Sequence, residues 1–205
     1  MIKTALQFIK SELESFMRRR GGDAYSAVSD LVLLTGLVKR DGSLQTDPAN
    51  IYMTLTHLEE ERLENKQPVY QHARNGGRIQ VFQPPIRLNA YVLFSGVNDD
   101  YPTALRDLSF VATFFQHYNV FRSAQYPNLN ESVSNPQLNP TQLLSEITAQ
   151  LFTITYEQQS YIWSSLGAKY TPSLLYKLRL LIVFDQETEQ ESAPILEGAS
   201  RENPI

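Results

Sequence analysis

The sequence predicts an α+β fold in which a mixed, largely antiparallel β-sheet is flanked by helices. Two segments have apolar residues at helical spacing, and several others alternate apolar and polar residues with the period of a strand. The segment from Ile162 to Phe184 shows both patterns most clearly. Gly167 stands where a left-handed C-cap ends a helix, and Pro172 cannot donate to a sheet, so the chain continues as an extended segment after it.

The chain is predicted to begin with an amphipathic helix that ends at Gly21-Gly22. Its apolar stripe has spacings of three and four and consists of Ile2, Leu6, Ile9, Leu13 and Phe16. Arg18, Arg19 and Arg20 fall in the last turn, where each cation stabilises the helix by about 0.3–1 kcal/mol through its interaction with the helix dipole. The arginine run therefore needs no ligand to explain it.

Two strands and a projecting hairpin are predicted to follow. The strands run from Ala27 to Val38, before a turn at Asp41-Gly42, and from Asn50 to about Glu61. The hairpin runs from Val69 to Gln83 around Asn75-Gly76-Gly77, residues that supply the positive φ of tight turns. Because its strands are only half apolar, we expect it to complete its burial on a partner. The candidate assembly contacts there are Val69, Tyr70, Val81 and Phe82.

The strand from Leu88 to Val97 is predicted at the middle of the sheet, because both of its faces are largely apolar. Asp99-Asp100 then caps a helix with Pro102 in its first turn, and the apolar stripe of this helix should pack on the sheet.

A long loop from Arg122 to Thr141 is expected to be a contact arm. It contains three prolines and four asparagines, and loops of this length in compact domains are usually functional. Tyr126 and Leu129 are its candidate contact residues.

The last part of the domain is predicted as a strand, a short helix and a strand. The strand covers Leu144 to Ile154, and Thr155 with Gln158 forms a capping box for the helix that ends at Gly167. In the final strand the even-numbered residues from Leu174 to Phe184 are all apolar and should face the core. Lys177 and Arg179 lie on the other face and are the remaining candidate contacts, with either a carboxylate or a partner expected beside them.

Length and composition indicate one globular domain over residues 1–185, followed by an acidic, disordered tail over residues 186–205. The net charge of −4 argues against nucleic acid as a partner, and no apolar run is long enough for membrane insertion. The first twenty residues lack a continuous apolar stretch, so the sequence does not read as a Sec substrate.

The chain lacks the minimal motifs of the common enzyme classes. It has no cysteine, no nucleophile elbow, no phosphate-binding glycine loop and no paired histidine motif. His57, Glu59 and Glu61 could line one face of a strand and ligate a cation, but three such positions do not close a coordination sphere. No metal, cofactor or enzymatic activity is therefore predicted.

Three stretches together resemble one protein family. They are LNAYVLFSG at Leu88–Gly96, YPTALRDLSFVATFFQHYNVF at Tyr101–Phe121 and WSSLGAKYTPSLLYKLRLLIV at Trp163–Val183. In order and spacing they are similar to the N-terminal domain of the cap, or tail-terminator, proteins of extracellular contractile injection systems. These systems are phage-tail-like particles typified by the antifeeding prophage and the Photorhabdus virulence cassettes.

The resemblance implies a phage-tail-terminator-like fold and a structural function. Such a protein forms a homo-oligomeric ring of six subunits on the distal end of the inner tube and contractile sheath and ends their polymerisation. Its partners would be the sheath and tube proteins, with assembly in the cytoplasm and release within an extracellular particle. Two alternatives remain: a baseplate- or sheath-associated adaptor of the same particle, and a small enzyme whose site is assembled from scattered residues.

Overall fold

A computed structural model describes residues 1–26, 28–61, 69–72, 79–82, 86–133, 142–184 and 190–192. Its main element is a six-stranded mixed sheet with the strand order β1-β2-β5-β8-β7-β6. The strands are β1 (Val32–Leu34), β2 (Ile51–Glu60), β5 (Ile86–Gly96), β6 (Val120–Arg122), β7 (Gln142–Leu151) and β8 (Ser173–Phe184). All neighbouring strands are antiparallel except β1 and β2, which are parallel. The predicted α+β class is confirmed.

The two longest strands, β5 and β8, lie at the centre of the sheet, as predicted for the segment from Leu88. They pair from Ile86↔Ile182 to Ser95↔Ser173 without a break in register. Even-numbered residues of both strands, such as Phe94 and Leu178, are buried on the face that we call the inner face. The even-face prediction for the last strand therefore holds.

Helices α1 (Ile2–Gly21) and α3 (Tyr101–His117) cover the inner face. The predicted stripe of α1 is buried from Leu6 to Phe16, and α3 buries Val111, Phe114 and Phe115 against the sheet. Asp100 caps α3 as predicted, since its side chain accepts a hydrogen bond from the backbone N–H of Thr103.

Helix α4 (Tyr156–Leu166) covers part of the opposite, outer face. Its N-terminus has the predicted capping box of Thr155 and Gln158, and Gly167 ends it with φ 65° in the left-handed region. Trp163 packs with Leu93 and Leu175 in a second core that is separate from the one under α1 and α3. The sheet therefore has a core on each side.

A buried polar cluster joins the N-terminal helices to the sheet. After α1 comes a one-turn helix, α2 (Asp23–Ser26), that the sequence reading missed. The Tyr25 hydroxyl on it donates to the buried carboxylate of Asp107, which also accepts from the Asn50 side chain at 3.0 Å. Arg106 Nε donates to the Tyr25 oxygen at 3.0 Å, and Arg18 donates to the backbone carbonyls of Tyr25, Val28 and Ser29. These bonds fix the chain between α1 and the first strand.

The strand predicted from Ala27 to Val38 is mostly wrong. Among the described residues of this segment, only Val32–Leu34 form a strand, because beyond them the chain leaves the sheet and folds into a turn. Val38 makes an isolated antiparallel bridge to Leu44 across the predicted Asp41-Gly42 turn, where Gly42 has φ 85°.

The first half of the loop from Arg122 to Thr141, which was predicted to be a contact arm, packs against the domain. After β6 a 3₁₀ helix (Pro127–Val133) packs against α1, with Phe8 meeting both Phe121 and Tyr126 edge-on. The Asn130 side chain donates to the backbone carbonyl of Leu144 and accepts from the Leu144 N–H, both at 2.9 Å. It thus occupies backbone groups of β7 as a neighbouring strand would. Residues 134–141 lie outside the described part.

A second, three-stranded sheet has the order β3-β4-β9 and consists of β3 (Val69–His72), β4 (Ile79–Phe82) and β9 (Gln190–Ser192). The antiparallel hairpin strands are as predicted, although the turn at Asn75-Gly76-Gly77 lies outside the described residues. The expectation of a disordered tail is wrong for Gln190–Ser192, which pair with β4. The rest of the tail also lies outside the described part.

We predict that Tyr25→Phe destabilises the protein at neutral pH by about 1–3 kcal/mol, because Asp107 loses a buried donor. Burial, followed by the bond to Asp107, raises the pKa of Tyr25 from 10.0 to about 12. This contribution is complete below pH 10 and is lost as the pH rises from 10 towards 12, since the unfolded chain ionises first. Urea unfolding at several pH values should show the deficit of the variant shrinking above pH 10. The exposed Tyr170→Phe is the control, and a constant deficit would contradict the assignment.

We also predict that Asn130→Ala lowers the free energy of unfolding by about 1–2 kcal/mol, because two partly buried hydrogen bonds to Leu144 are lost. Asn128→Ala removes one exposed bond to Glu12 and should cost less than about 0.5 kcal/mol. Chemical denaturation measures both changes. Equal effects would mean that Asn130 does not close the sheet edge.

Candidate functional site

The outer face of the main sheet is divided into a covered half and an open half. Helix α4 covers the half around Leu93 and Leu175. The open half is formed by the end of β2, the start of β5 and the middle of β7 and β8. Its residues include His57, Glu59, Asn89, Tyr91, Thr148, Gln150, Lys177 and Arg179.

A hydrogen-bonded ion pair crosses three strands in the open half. Glu59 on β2 accepts from the Tyr91 hydroxyl at 2.8 Å and from the Asn89 side chain at 3.1 Å, both on β5. The Lys177 ammonium on β8 lies 3.5 Å from the same carboxylate oxygen and 5.7 Å from the centre of the Tyr91 ring. These contacts lower the pKa of Glu59, with the bond from Tyr91 as the largest cause.

Two further ion pairs extend this network. Arg179 on β8 donates to Glu61 at 2.9 Å, and Arg122 on β6 donates to Glu146 on β7 at 2.9 Å. The predicted contacts Lys177 and Arg179 therefore have carboxylate neighbours within the chain, which was one of the two surroundings expected for them. Because these side chains are partly exposed, the pairs contribute little to stability and leave a polar surface.

The carboxylates of the open half are held in ion pairs. His57 is exposed on the sheet surface, and Glu59 and Glu61 are paired with cations. Within the part of the chain that the structure describes, no group of three or more His, Asp or Glu side chains is placed to hold a metal ion.

The structure places the other candidate contact residues in two settings. On the hairpin the backbone pairs are Val69↔Phe82 and Tyr70↔Val81, so these four residues lie together. On the former arm, Leu129 is fully buried and Tyr126 packs against the core. Leu129 is thus a core residue that presents no surface to a partner, and the spacing of three between Tyr126 and Leu129 is typical of such a helical turn.

The strand order of the second sheet follows the order of the central strands in the main sheet. The chain runs from β2 to β3, from β4 to β5 and from β8 to β9, so the order β3-β4-β9 matches β2-β5-β8. Among the described residues, β3 and β9 are its outer strands, each with one side unpaired. An unpaired strand can add a strand from another chain.

Sequence reasoning missed a group of exposed aromatic residues around α4. Tyr156, Tyr161 and Tyr170 are all largely exposed, and Trp163 meets Tyr170 edge-on at 5.5 Å. A groove of about 570 Å³ lies along the helix between Tyr156 and Tyr170. Exposure could not be read from the sequence, where these aromatics look like core residues.

No helix in the described residues is long and apolar enough to cross a membrane.

Comparison with known proteins identifies related chains by sequence model and by fold. The family model described as the Pvc16 N-terminal domain matches residues 5–197. The sheath/tube terminator of the PVC extracellular contractile injection system, solved in its extended state, has a similar fold with a TM-score of 0.54 and 13% identity. The tube terminating cap of the anti-feeding prophage also has a similar fold, with a TM-score of 0.53 and 13% identity.

Both fold matches cover 96% of this chain, but they cover only 62% and 60% of the two solved chains. This chain therefore spans about three-fifths of the length of the structures that it matches. Comparison with curated protein sequences gives no significant match.

We predict that Tyr91→Phe raises the pKa of Glu59 towards its ordinary value, because the hydroxyl that stabilises the carboxylate is removed. In the wild type the contribution of Glu59 to stability is present above the pKa of the unfolded chain and is lost as the pH falls through the lowered pKa of the folded state. An NMR titration that follows the side-chain carboxyl carbon of Glu59 measures its pKa in both proteins. Tyr161→Phe is the control, and an unchanged Glu59 pKa in Tyr91→Phe would contradict the assigned bond.

Proposed function

Because the chain belongs to the Pvc16 N-terminal domain family, we propose that it caps the end of the inner tube and contractile sheath of a phage-tail-like injection particle and stops their polymerisation. The observation that carries the proposal is the fold match to two solved terminators over 96% of the chain. Their names describe a sheath/tube terminator and a tube terminating cap, and we transfer that role to this chain.

The edges of the main sheet suit a terminator. Its two edge strands, β1 and β6, have three residues each, and Asn130 occupies the backbone of Leu144 beyond β6. Short or covered edge strands prevent further strand addition. A capping subunit must bind the last layer with one surface and offer no equivalent surface to a next layer, and closed edges satisfy the second condition.

We propose that the second sheet is the surface that binds the last layer. Its outer strands, β3 and β9, each have a side without a partner among the described residues. Added strands gain affinity from main-chain hydrogen bonds and register from alternate side chains. Val69, Tyr70, Val81 and Phe82 are the contact residues that we propose on this sheet.

The functional assembly that we propose is a homohexameric ring without enzymatic activity. It assembles in the cytoplasm and becomes part of a particle that is released from the cell. Lys177 and Arg179 remain candidate contacts, because a partner carboxylate could join the ion pairs that they make with Glu59 and Glu61.

Deleting the gene should give tubes and sheaths of uncontrolled length or unstable sheaths, because the next subunit still finds a site at the growing end. Electron microscopy of purified particles measures the length distribution, and complementation with the wild-type gene is the control. Stable tails of normal length in the deletion strain would contradict the capping function.

Gold labelling of a tagged protein separates a cap from an adaptor elsewhere in the particle. A cap places the label at the end opposite the baseplate. Label at the baseplate, or along the sheath, would support the adaptor instead.

A further inference from the structure

A cavity of about 680 Å³ lies at the end of the main sheet opposite the second sheet. Three connections form most of its wall: the chain between β1 and β2, the turn between β5 and α3, and the segment between α4 and β8. At this end β2 begins at Ile51, β5 ends at Gly96 and β8 begins at Ser173. The second sheet follows the opposite ends of the same strands, so the cavity is separate from the surface proposed to bind the tube or sheath.

The buried part of the cavity lining is apolar and belongs to the second core, which α4 also covers. Leu37 and Tyr52 are buried there, and Val97 and Ala168 pack against this core. Leu44, which also lines the cavity, is 50% exposed. Ligand sites in proteins are typically cavities of about 300–1,000 Å³ that combine an apolar lining with a few polar groups. The size and the lining of this cavity match that description.

Hydrogen bonds hold the wall of the cavity in place without a ligand. The Tyr52 hydroxyl donates to the backbone carbonyl of Asp47 at 2.6 Å, which fixes the chain before β2. The backbone N–H of Val97 donates to the carbonyl of Asn50 at 3.1 Å, which joins the turn after β5 to the same wall. A ligand therefore binds a preformed cavity and does not have to order it.

Gln45 in this wall has a hydrogen-bond acceptor without a donor. Its side-chain nitrogen donates to the Thr35 hydroxyl at 2.9 Å and to the Asp47 carboxylate at 3.1 Å. These bonds fix the orientation of the amide, because turning it over would place its oxygen against the carboxylate. The Oε1 atom is buried, and no described residue donates a hydrogen bond to it. A buried acceptor of this kind gains from a donor that a ligand brings.

The charges around the cavity favour a cation over an anion. Among the described residues that line it, Asp47 and Asp99 are acidic and Lys169 is basic, and all three are exposed. Two carboxylates against one ammonium group give this surface a net negative charge. Together with the unpaired oxygen of Gln45, they select a ligand that carries both N–H donors and a positive charge.

The volume of the cavity is larger than one side chain requires. A cavity of about 150 Å³ holds a ring of the size of benzene. The 680 Å³ present here therefore have room for two neighbouring side chains and the backbone between them. A short peptide segment fits this space better than a single small ion.

We propose that this cavity binds a short segment of another protein in which an aliphatic residue stands next to lysine or arginine. The aliphatic side chain lies against Leu37 and Tyr52, and the ammonium or guanidinium group lies beside Asp47 and Asp99. The site is additional to the second sheet and does not depend on the capping role.

An NMR titration of the isotope-labelled full chain tests this site. The probe is the dipeptide N-acetyl-Leu-Lys-amide, which supplies one aliphatic side chain and one cation. We expect saturable shifts of the Gln45 side-chain amide and of the methyl groups of Leu44 and Val97. The matched probe N-acetyl-Leu-Glu-amide has the opposite charge and should bind more weakly by a factor of about five or more, because the two carboxylates repel it.

A charge-removing variant separates the proposed site from non-specific binding. Asp99→Asn leaves the cap of α3 intact, since the capping residue is Asp100, and should weaken binding of the lysine probe by a factor of about 3–5. The control Glu157→Gln removes one carboxylate from α4, outside the cavity, and should leave the affinity unchanged.

Three results would overturn the proposal. They are no saturable shift with the lysine probe, equal affinities for the two probes, and equal affinities of the Asp99→Asn and Glu157→Gln variants for the lysine probe. Shifts confined to residues outside the cavity would overturn it as well. Because the titration uses the isolated chain, its result is independent of the capping role, which the deletion and labelling experiments judge separately.

Discussion

The structure depends on the pairing of β5 with β8 at the centre of the sheet. Their inner face is apolar along its whole length, and helices α1 and α3 cover the described core residues on it. Their outer face has an apolar part at Leu93 and Leu175, which α4 covers, and becomes polar from Tyr91 and Lys177 to Arg179 before Leu181. One short helix, α4, is therefore enough on that side, and the polar half can remain open to solvent.

Much of this architecture could be predicted because it depends on local patterns. Three of these patterns involve only residues that are close together in the sequence. They are the helical spacing in α1, the capping box of Thr155 and Gln158, and the left-handed Gly167. The central position of β5 was also predicted from the apolar residues on both of its faces. These features need no knowledge of the distant chain.

The features that could not be predicted depend on contacts between distant segments. Leu129 is in the core because the 3₁₀ helix fits between α1 and β7, where Asn130 binds the Leu144 backbone 14 residues further along the chain. The ion pair of Arg179 with Glu61 joins residues 118 positions apart. Gln190–Ser192 looked too acidic and polar to fold, yet they pair with β4. Alternation and spacing carry no information on such partners.

The surfaces that we propose for function have the same origin. The edge strands of the main sheet are short or covered, which limits strand addition there, whereas β3 and β9 of the second sheet each have one side without a partner among the described residues. In the proposed cap, binding to the last layer and ending its growth are therefore assigned to different parts of the subunit.

An electron cryo-microscopy reconstruction of the particle end opposite the baseplate tests this account most directly. The account predicts a closed ring of this protein on the last layer, with the second sheet contacting the tube or sheath. An end without this protein, or a ring in which the second sheet contacts neither the tube nor the sheath, would contradict it.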